Sequence, residues 1–321
     1  MSVPPVISPT PARYREATVG IDQAARLRSL AEAAQRSPAS VPVESQPEVS
    51  RDRRGWPGVI AVGSGKGGVG KTALSVNLAI ALSKQGLRVT VVDGDLGTAN
   101  VDVVCGLSPS RRLDLPTSDR QLAQGAAPLR ALSIDTGLGF RLVPGAAGVA
   151  RVADGDRTAC HALAMGLGTL GADADIVVVD AGAGIGVGVR SWMHAADVPL
   201  IVATPEPAAI ADAYGLMKAL RIENRSTAAR AGLVLNQVGS AAESERVVER
   251  LGAVVQRFLQ MNLRTAGTIS WDRDMVLASR TRRPLLSDPG RSRARRDLLA
   301  LSQTVGEWIR LSQYATAPSR R

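Results

Sequence analysis

Gly65-Lys66-Gly67-Gly68-Val69-Gly70-Lys71-Thr72 is the stretch on which the fold turns. It is a phosphate-binding loop of the form Gly-x4-Gly-Lys-Ser/Thr. Its glycines let backbone N–H groups approach phosphate oxygens, Lys71 reaches the β- and γ-phosphates, and the Thr72 hydroxyl is placed for Mg²⁺. Val59-Ile60-Ala61-Val62 before the loop reads as a short buried strand, and Ala73 to Lys84 after it has helical periodicity. Strand, glycine loop and helix thus follow in the order that sets a helix N-terminus beneath an anion. The candidate nucleotide-binding residues run from Gly65 to Ala73. Lys66, a second lysine that the pattern does not require, narrows the function more than any other residue.

From residue 58 onward, strand and helix patterns alternate, which predicts a parallel sheet covered on both faces. Strands are expected near 59–63, 88–93, 140–143, 175–180, 199–204, 231–236 and 265–269. Helices are expected near 71–85, 157–169, 187–194, 206–221, 241–260, 272–280 and 294–312. The fold class is α/β: a three-layer P-loop NTPase with a mostly parallel sheet between helices, spanning residues 57–290 of the 321. Right-handed crossovers bring the loops after the strand C-termini to one edge, where a nucleotide would sit. Residues 107–138 are the least legible part of this body.

With 3% aromatics, the core must be aliphatic. Cys105 and Cys160 are the only cysteines and form no Cys-x-x-Cys, which argues against a disulfide framework or a zinc or iron–sulfur site. The first 30 residues carry no apolar signal core and no 18-residue apolar run occurs, so the chain is expected in the cytosol. Formal charge is +10, but residues 281–321 hold nine Lys/Arg against three Asp/Glu. Their arginines, Arg282, Arg283, Arg291, Arg293, Arg295 and Arg296, suit an anionic membrane surface or nucleic acid; a merely solvated basic face is the competing reading.

Two strand ends carry the chemistry. The second strand runs into Asp93-Gly94-Asp95, and Asp95, just past its end, is the candidate for orienting the attacking water or holding Mg²⁺ through water. Ile176-Val177-Val178-Val179-Asp180 is a buried strand that delivers one carboxylate to the metal shell. A guanine-specific relative would carry Asn-Lys-x-Asp after a late strand, whereas this chain has Asn236-Gln237-Val238-Gly239. The missing aspartate favours ATP, and the Asn236 amide offers both a donor and an acceptor to the adenine edge.

Taken together, the 65–72 loop, Asp93-x-Asp95-x-Gly97-x-x-Asn100-x-Asp102, Asp180-x-x-Ala183-Gly184 and Thr204-Pro205-Glu206-Pro207 resemble the MinD/ParA group of deviant Walker-A ATPases. Within it, the 95–107 and 206–218 stretches are similar to the FlhG (FleN, YlxH) branch, which controls flagellar number and placement. The resemblance implies that Lys66 crosses to the nucleotide of a second subunit, so that ATP joins two chains face to face and Lys66 assists Lys71 and Asp95 in hydrolysis. It also implies that the arm, residues 1–56, activates a signal-recognition-type GTPase, FlhF, through a helix near 21–34 in which Asp22, Gln23 and Arg26 are the contact residues.

Further partners expected on the same ground are a flagellar transcription regulator or motor switch proteins, and an anionic membrane surface in the ATP state. Sequence-specific nucleic-acid binding is not expected. Two departures stand out: Ser270 replaces a proline common in the group, and Ala181-Gly182 replaces Ser/Thr-Pro. The basic segment 291–321 has an apolar stripe, Leu298, Leu301, Val305, Trp308 and Ile309, that suits either a lipid surface or the core. A partition ATPase binding DNA nonspecifically and a septum-placement ATPase remain the alternatives.

Overall fold

The computed structural model describes residues 55–95, 97–113, 129–145 and 157–316. The expected helix near 21–34, with Asp22, Gln23 and Arg26, lies outside them. Among the described residues the strands are β1 (Gly58–Ser64), β2 (Val89–Asp93), β3 (Ile134–Asp135), β4 (Arg141–Val143), β5 (Ile176–Ala183), β6 (Val198–Ala203), β7 (Gly232–Val238) and β8 (Arg264–Ser270). They form one sheet in the order β3-β4-β2-β5-β1-β6-β7-β8. All neighbours are parallel except the short β3, which runs antiparallel to β4.

The helices are α1 (Lys71–Ser83), α2 (Val101–Val104), α3 (Leu129–Leu132), α4 (Arg157–Gly166), α5 (Val187–Ala195), α6 (Pro207–Glu223), α7 (Arg225–Arg230), α8 (Ala241–Leu259), α9 (Arg273–Thr281) and α10 (Arg293–Thr316). Because side chains alternate across a strand, the central strands supply both cores. Val59, Ala61, Val177, Val179, Ile201, Leu233 and Leu235 pack under α4 to α8. Ile60, Val62, Val178, Leu200, Val202 and Val234 pack under α1 and α10. Three layers result, as the alternation in the sequence predicts.

The apolar stripe of α10 is spent on the second core. Leu298, Leu301, Val305 and Ile309 are buried there. Trp308 packs alongside them, with the Arg264 guanidinium 3.9 Å from its ring centroid. Gly232 permits the close approach, since a Cβ there would lie 2.5 Å from the Trp308 ring. Of the two partners that suit this stripe, the structure puts the core. No helix among the described residues is long and apolar enough to cross a membrane. Cys105 and Cys160 are both buried thiols, and burial pushes the Cys105 thiol up to about 12.

Candidate nucleotide site

The phosphate loop owes its shape to two residues with left-handed backbone, Gly68 (φ 80°) and Gly70 (φ 89°). A Cβ on Gly70 would come within 2.5 Å of Asn236 Nδ2, so glycine is needed there for space as well as for conformation. At Gly67 and Gly68 a Cβ would meet nothing within 4 Å, so the space above the loop is open to a ligand. Gly70 is the N-cap of α1, and no side chain caps that helix. The contrast is α8, where the N-cap Ser240 Oγ accepts from Glu243 N and Glu243 Oε2 accepts from Gly239 N just before the cap. The first N–H groups of α1 are thus left for an anion.

Lys71, 7% exposed, stands at this helix start. Burial lowers its pKa, while the charges of Asp180 and Asp95 push the other way. Neither carboxylate forms an ion pair with it, so the ammonium remains available to phosphate oxygens.

Asp93 and Asp180 are register partners on β2 and β5. Asp180 is fully buried and raised to about 6: burial dominates, opposed by the nearby Thr72 and Ser75 hydroxyls and by the Lys71 charge. Its Oδ1 accepts from Ser75 Oγ at 3.3 Å, and its Oδ2 is buried with no partner. A buried carboxylate oxygen without a partner is costly; a hydrated cation next to Thr72 would satisfy it. The residues present therefore fit Mg²⁺, with the Thr72 hydroxyl as ligand and Asp180 behind it. In the structure Thr72 Oγ1 donates to Asn100 Oδ1 at 2.9 Å.

Asp93 does something the sequence reading did not foresee. Its Oδ1 accepts from Asp95 N at 3.3 Å, and its Oδ2 accepts from Asn100 N at 2.9 Å and Val101 N at 3.0 Å. It ties down the loop that carries Asp95. Burial and the Asp180 charge raise it to about 7 against these bonds. The signal was present in the spacing Asp93 to Asn100, but backbone partners cannot be read from residue types.

A carboxyl whose folded pKa exceeds its ordinary value of 3.8 stabilises fully below that value and loses the contribution as pH rises through about 7. We therefore expect the urea midpoint of the ligand-free wild type to fall, relative to that of Asp93→Asn, between about pH 4 and 8. Parallel profiles would contradict this. Asp93→Asn should also cost about 1–3 kcal/mol at low pH, since the amide NH₂ opposes backbone donors.

Asp95 is half-buried and faces Gly182 near the C-terminal end of β5. Its Oδ1 accepts from Thr98 N at 3.0 Å, and its Oδ2 lies 3.3 Å from where a Cβ on Gly182 (φ 82°) would be. Trp192 Nε1 donates to Gly94 O at 3.1 Å and fixes the turn between the two aspartates. Thr72, Asp95 and Asp180 are thus assembled at the loop. Asn236 Nδ2 donates to Val69 O at 2.8 Å, bracing the phosphate loop with one of its two N–H groups.

Lys66 Nζ forms an ion pair with Glu206 Oε2 at 3.0 Å, with both side chains substantially exposed. Such a pair is typically worth under about 1 kcal/mol, so a stronger anion can take the lysine away. Ser64 Oγ donates to Lys66 O at 2.5 Å and holds the backbone in place.

Behind the loop that follows β5, Arg190 donates to Ile185 O and pairs with Glu223 at 3.0 Å, and His194 Nε2 meets Glu223 Oε2 at 2.9 Å. The loop is thereby tied to the C-terminal end of α6. Near the α6 start, a Cβ on Gly65 would strike the Asp212 carbonyl, so this helix sits directly on the phosphate loop.

Ser270 N donates to Asp297 Oδ2 at 2.9 Å. A proline, lacking the N–H, could not make this tie to α10, which accounts for the departure at that position.

Residues 60–285 match the CobQ/CobB/MinD/ParA nucleotide binding domain. The chain is 37% identical over 250 residues to the antiactivator FleN of Pseudomonas aeruginosa, covering 78% of this chain and 86% of that protein. To the flagellum site-determining protein YlxH of Helicobacter pylori it is 34% identical over 207 residues, 64% and 66% of the two chains. The septum site-determining protein MinD of Pyrococcus horikoshii, solved with Mg-ADP, superposes with a TM-score of 0.61 at 23% identity over 80% of this chain and 98% of that one.

Proposed function

Because the chain belongs to the CobQ/CobB/MinD/ParA nucleotide-binding family and is a MinD/ParA-type ATPase, we propose that it is an ATP-dependent dimerising switch regulating the number or placement of flagella. The flagellar assignment rests on the similarity to FleN and YlxH. The switch rests on one structural observation: among the described residues the Lys66 ammonium is held beside the loop by the exposed Glu206.

In this reading the triphosphate lies on the backbone amides of 67–72, with Lys71 against its β- and γ-oxygens. Mg²⁺ would be held by Thr72, with Asp180 and Asp95 acting on it through water; it supplies neutralisation of charge developing on the phosphoryl oxygens. Asp95 orients the attacking water. Lys66 leaves Glu206 for the nucleotide of the second subunit, where it acts as a positive charge supplied in trans. Asp95 and Gly182 lie against each other, which couples the loop after β2 to the C-terminal end of β5. ATP rather than GTP follows from the absence of a guanine-reading aspartate after Asn236.

The arm supplies the output. Asp22, Gln23 and Arg26 contact the FlhF-type GTPase, with Gln23 reaching its catalytic site. Full-length protein is expected to accelerate GTP hydrolysis by its cognate FlhF, and the Gln23→Ala variant to lose that acceleration while keeping its own ATP turnover. Equal acceleration by both would remove the arm's role. With the apolar stripe of α10 inside the core, attraction to an anionic membrane would use exposed arginines such as Arg282 and Arg283.

A further inference from the structure

On the basis of the nucleotide reading above, we infer that Trp271 is the platform on which the nucleotide's base stacks. Trp271 immediately follows β8 and is 53% exposed. Trp192 is buried, while Trp56 and Trp308 pack against the two cores. An indole in water forgoes a large burial gain, and here its position is set by the backbone. Trp271 N donates to Val238 O at 2.8 Å. On one side Ser270 N is held by Asp297. On the other, the Asp272 carboxylate accepts from Asp274 N at 2.9 Å and from Ala294 N at 3.1 Å. Three consecutive residues are pinned while the ring between them is left open.

Topology directs a base toward it. β8 lies beside β7 with Val238 opposite Ser270, and β7 carries Asn236, whose amide holds the phosphate loop at Val69. Gln237, exposed and left-handed (φ 60°), places Nε2 3.9 Å from the Cβ position of Gly70. Phosphate loop, Gln237 and Trp271 therefore follow one another along the same sheet edge, with neighbouring strands about 4.8 Å apart. The opposite direction, toward β5 and β2, is occupied by Asp93, Asp95 and Asp180. A nucleotide with its phosphates on the loop extends its base away from those carboxylates, over β7 toward β8. Stacking on an indole tolerates any base, because every base has a π-face. Trp271 thus gives affinity, while choice between bases is left to groups such as Gln237.

The test uses the full chain with Mg²⁺·ATP and with inorganic tripolyphosphate, measured by calorimetry and by iodide quenching of tryptophan fluorescence. Trp271→Ala should weaken ATP on the order of tenfold, leave tripolyphosphate unchanged, and melt at the wild-type temperature. Trp271→Phe should restore most of the affinity. ATP, but not tripolyphosphate, should shield an iodide-accessible indole in the wild type and none in Trp271→Phe. ATP bound equally by wild type and Trp271→Ala overturns the platform alone. That outcome would leave the exposed Trp271, Val276 and Leu277 as a protein-docking patch. A wild type that binds tripolyphosphate but gains nothing from the nucleoside of ATP overturns the base site as a whole.

Discussion

Lys66→Ala is expected to abolish ATP-induced dimers and to lower ATP turnover by about 10³-fold or more, the scale of a positive charge delivered in trans to a phosphoryl-transfer site. ATP affinity should stay near wild type. Among the described residues, the side chain of Lys66 pairs with the exposed Glu206, and phosphate binding is carried by the loop backbone and Lys71. Simple loss of a surface ion pair would cost less than about 1 kcal/mol, so it cannot imitate the effect.

Mixing variants separates trans from cis. In a heterodimer of Lys66→Ala and Asp95→Ala chains, one site has its own Asp95 and receives Lys66 from the other chain. Two inactive variants should therefore restore turnover when mixed. Activity no greater than the sum of the two would place Lys66 in its own site.

The second large effect is expected at Asp95. Asp95→Ala should bind ATP normally and hydrolyse it about 10²–10⁴-fold more slowly, the range attributed to a positioned general base. Asp93 cannot take over. It is fully buried, its oxygens are engaged by the N–H groups of Asp95, Asn100 and Val101, and burial with the Asp180 charge disfavours its ionised form. Single-turnover hydrolysis with radiolabelled ATP measures the effect. A rate near wild type would move the water-orienting role to another group.

The fold was legible where periodicity and length were strong. The buried runs at 59–62 and 176–179 and the glycine loop between strand and helix led directly to the parallel sheet. The antiparallel β3 escaped because two residues, Ile134 and Asp135, carry no periodic signal. The helix Arg225–Arg230 escaped for the same reason, although Asn224 caps it by accepting from Thr227 N. β5 continues past Asp180 because Ala183 pairs with Ser64, a small-residue extension without a strand signature.

In the site, Lys71 and Thr72 at the start of α1, Asp95 just after β2 and Asp180 in β5 could be singled out from residue type and position in the sequence pattern. The rest depended on geometry. That Asp93 holds three backbone N–H groups, that Asn236 braces Val69, and that Glu206 meets Lys66 across 140 residues of sequence are consequences of the folded loops. The α10 stripe shows the limit plainly: Leu298, Leu301 and Val305 have one spacing for lipid and for core, and only the packing on β8 and α1 decides.

The most direct test of the dimerising switch is the solution mass of the Asp95→Ala protein by light scattering, with saturating Mg²⁺·ATP and then with Mg²⁺·ADP. A dimerising switch has twice the 33.5 kDa of one chain with ATP and a single-chain mass with ADP. A single-chain mass with ATP bound would contradict it.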